Sequence, residues 1–137
     1  MKLSIQHQDE MRFIAITDQH KVTIDLPVPH GGTNQGMTPP QLFVASLGAC
    51  IGVYVVDYCE ENGISYQDLS INVDWALDLN PKRIKRIHIN LELPNQVLSE
   101  LNKRQLIEAA NSCMLHNTLG NKPQIVLSIP EVVCEVT

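Results

Sequence analysis

Polar and apolar residues alternate over 2–6, 13–17 and 22–26, the two-residue period of strands that bury one face. Asp18-Gln19-His20, between the last two, predicts a hairpin turn. A loop is expected over 27–37, where Pro27, Pro29, Gly31, Gly32 and Gly36 interrupt any regular period. The pattern then changes to helix. Thr38 can cap free helical amides, Pro39 and Pro40 suit a first turn, and Gly63 suits the residue just past a helix. Those signals predict a helix over 39–62. It is apolar all round, which predicts burial on most sides. Gly48 and Gly52 each cost roughly 1 kcal/mol relative to alanine inside a helix. Close approach of another helix or a partner subunit would explain them.

Strands are expected over 70–79 and 84–93, joined by a turn at Asn80-Pro81. In the second, Ile87, Ile89, Leu91 and Leu93 alternate with His88, Asn90 and Glu92, as in a sheet with one solvated face. A second helix is predicted over 99–111, with Leu101, Leu106, Ile107 and Ala110 along one stripe. A short helix follows over 113–119, closed by Gly120. The last strands cover 124–129 and 132–136, split by Pro130. This order of elements predicts an α+β fold with an antiparallel sheet. No repeat, low-complexity run or linker marks a boundary, so residues 1–137 read as a single domain.

Composition narrows the function. An apolar fraction of 44% and a charged fraction of 18% describe a foldable globular chain. The net charge of −5 argues against a phosphate-binding surface, and Lys82, Arg83, Lys85 and Arg86 form the only basic cluster. No nucleic-acid partner is expected. Residues 1–16 carry Lys2, Asp9, Glu10 and Arg12 and no continuous apolar stretch, so no secretory signal is expected. The uncharged run 42–56 falls short of the ~18 residues of a membrane helix and is closed by Asp57, Glu60 and Glu61. A cytoplasmic protein with no membrane partner is the expectation, with its cysteines held as thiols.

Four cysteines carry the candidate chemistry. Cys59 lies nine residues after Cys50, hence on the opposite face and ~13.5 Å along the helix, so those two sulfurs cannot meet within it. Cys59 and Cys134 read as small buried hydrophobes. Cys113 follows Asn111-Ser112, a capping pair, which places it in the first turn of the short helix. Free amides and the helix dipole there favour a thiolate and lower the thiol's pKa. His116, three residues on, shares that face and could assist, or could simply satisfy a backbone carbonyl. A metal held by Cys113 and His116 is disfavoured, since two ligands do not complete a site and no CxxC accompanies them. Cys50 sits among small residues with Ser46, Val53 and Asp57 on its face, and spacing alone does not make it reactive.

The run Gly36-Met37-Thr38-Pro39-Pro40-Gln41-Leu42-Phe43-Val44-Ala45-Ser46-Leu47-Gly48-Ala49-Cys50 resembles the central helix of the OsmC/Ohr superfamily, named for osmotically inducible protein C and organic hydroperoxide resistance protein. Cys113-Met114-Leu115-His116-Asn117-Thr118-Leu119 resembles the segment that holds the superfamily's other cysteine. The resemblance implies an antiparallel sheet packed on a long central helix, in an intertwined homodimer with its sites at the subunit interface. It implies thiol-dependent reduction of organic hydroperoxides without metal or organic cofactor. Cys50 would be the peroxidatic thiolate and Cys113 the thiol that resolves its sulfenic acid as a disulfide, which an external dithiol then reduces.

One departure stands out. In the hydroperoxide reductases an Asn-Pro-Glu stretch opens this helix, and its Glu holds an Arg over the reactive thiol. Here the stretch is Thr38-Pro39-Pro40, and Pro40 cannot take the Glu's part. Arg12 is the only arginine in the N-terminal strands that could answer to the family's Arg. Two other functions therefore stay open: a non-catalytic ligand-binding or stress protein on the same fold, and a general thiol–disulfide oxidoreductase.

Overall fold

The computed structural model describes residues 2–129 and the main chain of 132–136. The break at Pro130 and the packing role read for Cys134 lie outside the described residues. The chain runs β1 (Ser4–Asp9), β2 (Arg12–Ile16), β3 (Lys21–Ile24), α1 (Pro39–Glu61), β4 (Ser70–Leu79), β5 (Lys82–Glu92), α2 (Glu100–Asn111), α3 (Met114–Gly120), β6 (Ile125–Ile129) and β7 (Val132–Val136). The fold is α+β, as the alternation of periods predicts. Its strands form separate sheets rather than one: β1-β2-β3, β4-β5 and β6-β7. The residues group into two compact units, Met1–Gly48 with Asn72–Asn90, and Ala49–Ile71 with Leu91–Thr137.

In the first unit β2 is the middle strand, antiparallel to both neighbours, and Ala15 pairs with Ile5 on one side and Val22 on the other. Beyond β3 the chain makes a 3₁₀ turn at Val28–His30 and returns, so that Met37 bridges Ile24. Asp25 holds this loop. Its carboxylate accepts from the amides of Leu26, Thr33 and Gln35 at 2.8, 3.1 and 3.0 Å, and from the Thr33 hydroxyl at 2.7 Å. Those donors, the Gln35 amide first among them, hold its pKa at about 2, against an ordinary 3.8, although burial works the other way.

The start and end of α1 are set by local chemistry. Gln41 Oε1 accepts from the Thr38 amide at 2.8 Å, and Thr38 Oγ1 accepts from the Gln41 amide at 3.4 Å. The two residues satisfy each other's amides reciprocally, a capping box. Thr38→Ala is expected to cost about 1 kcal/mol by urea denaturation, and an unchanged midpoint would remove the cap from the account. At the other end Gly63 has φ +65°. Its amide donates to Glu60 and that of Ile64 donates to Cys59, which closes the helix as a Schellman motif.

Val44, Leu47, Ile51, Val55 and Cys59 form the buried stripe of α1, at three- and four-residue spacing. Burial is therefore confined to one side, not most sides. Phe43 and Val53 remain 42% and 58% exposed. By length and composition alone α1 could cross a membrane, but its apolar stripe packs inside the chain. Gly52 has a reason the sequence did not show: a Cβ there would meet Ile71 Cδ1 of β4 at 2.8 Å, so a strand side chain, not another helix, needs the space.

In the second unit Ile51, Val55, Cys59 and Ile64 are buried with Leu106, Ala110 and Cys113. Ser99 caps α2 by accepting from the Asn102 amide at 3.1 Å. Only Leu106 and Ala110 of the expected α2 stripe are buried, while Leu101 and Ile107 face outward. The Tyr58 hydroxyl reaches Gln105 Oε1 at 3.1 Å and so ties α1 to α2.

Candidate redox site

Cys113 owes its position to the join between two helices. Its amide donates to Ala110 at the end of α2, and its carbonyl accepts from Asn117 in α3. Between them its backbone is extended (φ −63°, ψ 143°), so Cys113 is the N-cap of α3 rather than a first-turn residue. The thiol does the capping, with Sγ accepting from the His116 amide at 3.2 Å. Serine or aspartate more often fills this place, which is why the Asn111-Ser112 pair drew the expected cap one step too early.

Cys113 is fully buried, at 0% exposure, whereas Cys50 on α1 is partly exposed. The structure brings the two together. Both are free thiols, and Cys50 lies near enough to raise the pKa of Cys113. Burial pushes the Cys113 thiol above its ordinary pKa, and the neighbouring Cys50 adds to the rise. The Leu115 and His116 amides pull the other way without reversing it. The thiolate expected from the helix dipole is thus not favoured here, because desolvation in the core outweighs two amide donors. Burial likewise raises Cys59, whose fully buried sulfur fits its reading as a small hydrophobe.

The other two candidate residues are placed differently from the cysteines. His116 meets Cys113 through its main-chain amide, and its residue is otherwise exposed. Arg12 belongs to the first unit, where its guanidinium donates to Gln35 Oε1 and pairs with Asp9. Sequence reasoning expected free amides at Cys113, and the His116 amide supplies one. It missed Asp25 and Gln35. Among the described residues no cluster of three His, Cys, Asp or Glu side chains could hold a metal ion.

The first unit carries a groove of about 610 Å³ lined by Ile5, Phe13, Ile24, Pro39, Leu42, Phe43 and Ser46. The Ser46 hydroxyl donates to the Phe43 carbonyl at 2.7 Å, so the one polar side chain in the lining is already partnered. The groove is apolar.

The family model for OsmC-like proteins matches residues 32–128. This chain belongs to that family. No curated protein matches the chain. Solved structures do. An osmotic stress induced and detoxification response protein of Psychrobacter arcticus superposes with a TM-score of 0.79 at 21% identity, over 86% of this chain and 87% of the other. An OsmC-like protein from Mycoplasma pneumoniae gives 0.74 at 24%, over 88% and 87%. An organic hydroperoxide resistance protein OsmC from Legionella pneumophila gives 0.62 at 19%, over 88% and 90%. Identities this low establish a shared fold: this OsmC-like protein has the family's α+β architecture.

Proposed function

We propose that this OsmC-like protein is a thiol peroxidase for organic hydroperoxides, with Cys50 as the attacking thiolate and Cys113 as the resolving thiol. The family and its hydroperoxide-resistance neighbours support a peroxidase-like role. Two free thiols, one partly exposed and one buried, near enough for Cys50 to shift the pKa of Cys113, support the assignment to these residues. In the first step the Cys50 thiolate attacks the distal oxygen of ROOH, the O–O bond breaks, the alkoxide leaves and takes a proton to become ROH, and Cys50 becomes a sulfenic acid. Cys113 then attacks that sulfur, water leaves, and the disulfide forms. An external dithiol restores both thiols and becomes a disulfide itself.

The protein acts as a homodimer in this reading, a second copy covering the outer side of α1 where Phe43 and Val53 are exposed. It is read as one cytoplasmic OsmC-like domain. Pro40 in place of the family's Glu favours the non-catalytic alternative, as does the engagement of Arg12 by Asp9 and Gln35.

Titration of the reduced protein with cumene hydroperoxide and with hydrogen peroxide distinguishes them. Free thiols are counted and the disulfide is located by mass spectrometry. The peroxidase forms a Cys50–Cys113 bond within seconds, faster with the organic peroxide. Thiols that react no faster than free cysteine would place the chain on the non-catalytic branch.

A further inference from the structure

The oxidised pair must be reopened, and its two sulfurs are not equally open to attack. Cys113 Sγ is fully buried, wedged between the end of α2 and the start of α3. Cys50, on α1, is partly exposed. A thiolate that cleaves a disulfide approaches along the S–S axis, on the side away from the leaving sulfur. Cys50 keeps part of its surface open to an incoming thiolate. Cys113, at 0% exposure, offers an incoming thiolate no open side.

The leaving sulfur also needs somewhere to put its charge. The His116 amide already donates to Cys113 Sγ at 3.2 Å. It is a fixed donor that needs no rearrangement as the S–S bond breaks.

We infer that the reductant attacks the Cys50 sulfur, so that the mixed disulfide forms on Cys50 and Cys113 leaves as the thiolate. The step rests on the Cys50–Cys113 pairing proposed above. One S–S bond breaks and one forms: RS⁻ with Cys50–S–S–Cys113 gives RS–S–Cys50 and the Cys113 thiolate, which then takes a proton. A second thiolate of the reductant releases Cys50 as a thiolate and closes the reductant's own disulfide. The reductant is thus a dithiol presented to the exposed side of α1, and the buried thiol is never its target.

The test uses the full chain and needs no peroxide. Diamide oxidises the reduced protein, and loss of two hydrogens with the Cys50–Cys113 bond is confirmed by mass spectrometry. Remaining thiols are blocked with iodoacetamide. Glutathione, a monothiol that cannot complete the cycle, is added for seconds and quenched in acid. The freed thiol is then capped with N-ethylmaleimide and both labels are mapped by tandem mass spectrometry. Glutathione on Cys50 with maleimide on Cys113, in at least ~tenfold excess over the reverse, is the expected result. Equal adducts, or glutathione mainly on Cys113, overturn the inference and leave the pairing intact. Failure of diamide to join Cys50 to Cys113 overturns the pairing and this inference with it.

Discussion

Cys50→Ser is expected to abolish hydroperoxide reduction, and Cys113→Ser to halt the cycle after a single oxidation. The first effect follows from the nucleophile. A serine hydroxyl is not ionised near neutral pH and does not attack an O–O bond, so the loss should be on the order of 10³-fold or more. Cys113→Ser separates chemistry from folding. Serine is a preferred N-cap, so α3 keeps the donor–acceptor pair that Sγ now makes with the His116 amide. Its Cys50 should still be oxidised, but the sulfenic acid then has no neighbouring thiol and persists until dimedone traps it. Consumption of cumene hydroperoxide and the mass of the dimedone adduct read the two variants. Turnover by Cys50→Ser at the wild-type rate would remove Cys50 from the mechanism. Undiminished turnover by Cys113→Ser with a dithiol present would show that no resolving thiol is needed.

The cysteines also mark how far the sequence could be read. Helix ends were legible because their signals are local. Thr38 with Pro39 opens α1 as expected, and Gly63 closes it through φ +65°. The reciprocal partner Gln41 lies only three residues on. Strands β4 and β7 cover the residues expected of them. The pairing of Cys50 with Cys113 has no such local signal, and only the family resemblance suggested it. The same divide explains the wrong sign at Cys113. The helix dipole that lowers a thiol's pKa can be read from a short segment, whereas the desolvation that raises it depends on residues from α1 and α2. Burial of α1 failed likewise, since which side is covered depends on what lies against it. Asp25 shows that closeness in sequence is not enough. Its donors, Leu26, Thr33 and Gln35, fall within ten residues, yet three of the four contacts are main-chain amides that any residue could supply.

That loop carries the largest stability effect expected outside the thiols. A Cβ at Gly32 would lie 2.0 Å from the Leu26 carbonyl oxygen and 2.6 Å from Asp25 Oδ1. The first obstacle is main chain and cannot rotate away, so Gly32→Ala must push the loop off the Asp25 carboxylate. A loss of about 2–4 kcal/mol is expected, within the range of overpacking and broken buried hydrogen bonds. Gly63→Ala is the contrast. Nothing lies within 4 Å of its Cβ position, so only the positive φ opposes the substitution, at about 1 kcal/mol. Asp25 adds a pH signature. Its carboxyl titrates at about 2 in the folded chain and near 3.8 when unfolded, so the unfolded state binds the proton more readily. The stability this contributes is complete above 3.8 and is lost as pH falls through that window toward 2. Urea midpoints measured between neutral pH and pH 2 should therefore drop for the wild type. Asp25→Asn should start from a lower midpoint and lack this part of the drop, because its amide nitrogen faces donors and nothing there titrates. A Gly32→Ala midpoint equal to that of the wild type would mean that the loop tolerates the clash. Parallel acid profiles for wild type and Asp25→Asn would mean that the buried carboxylate does not hold the loop.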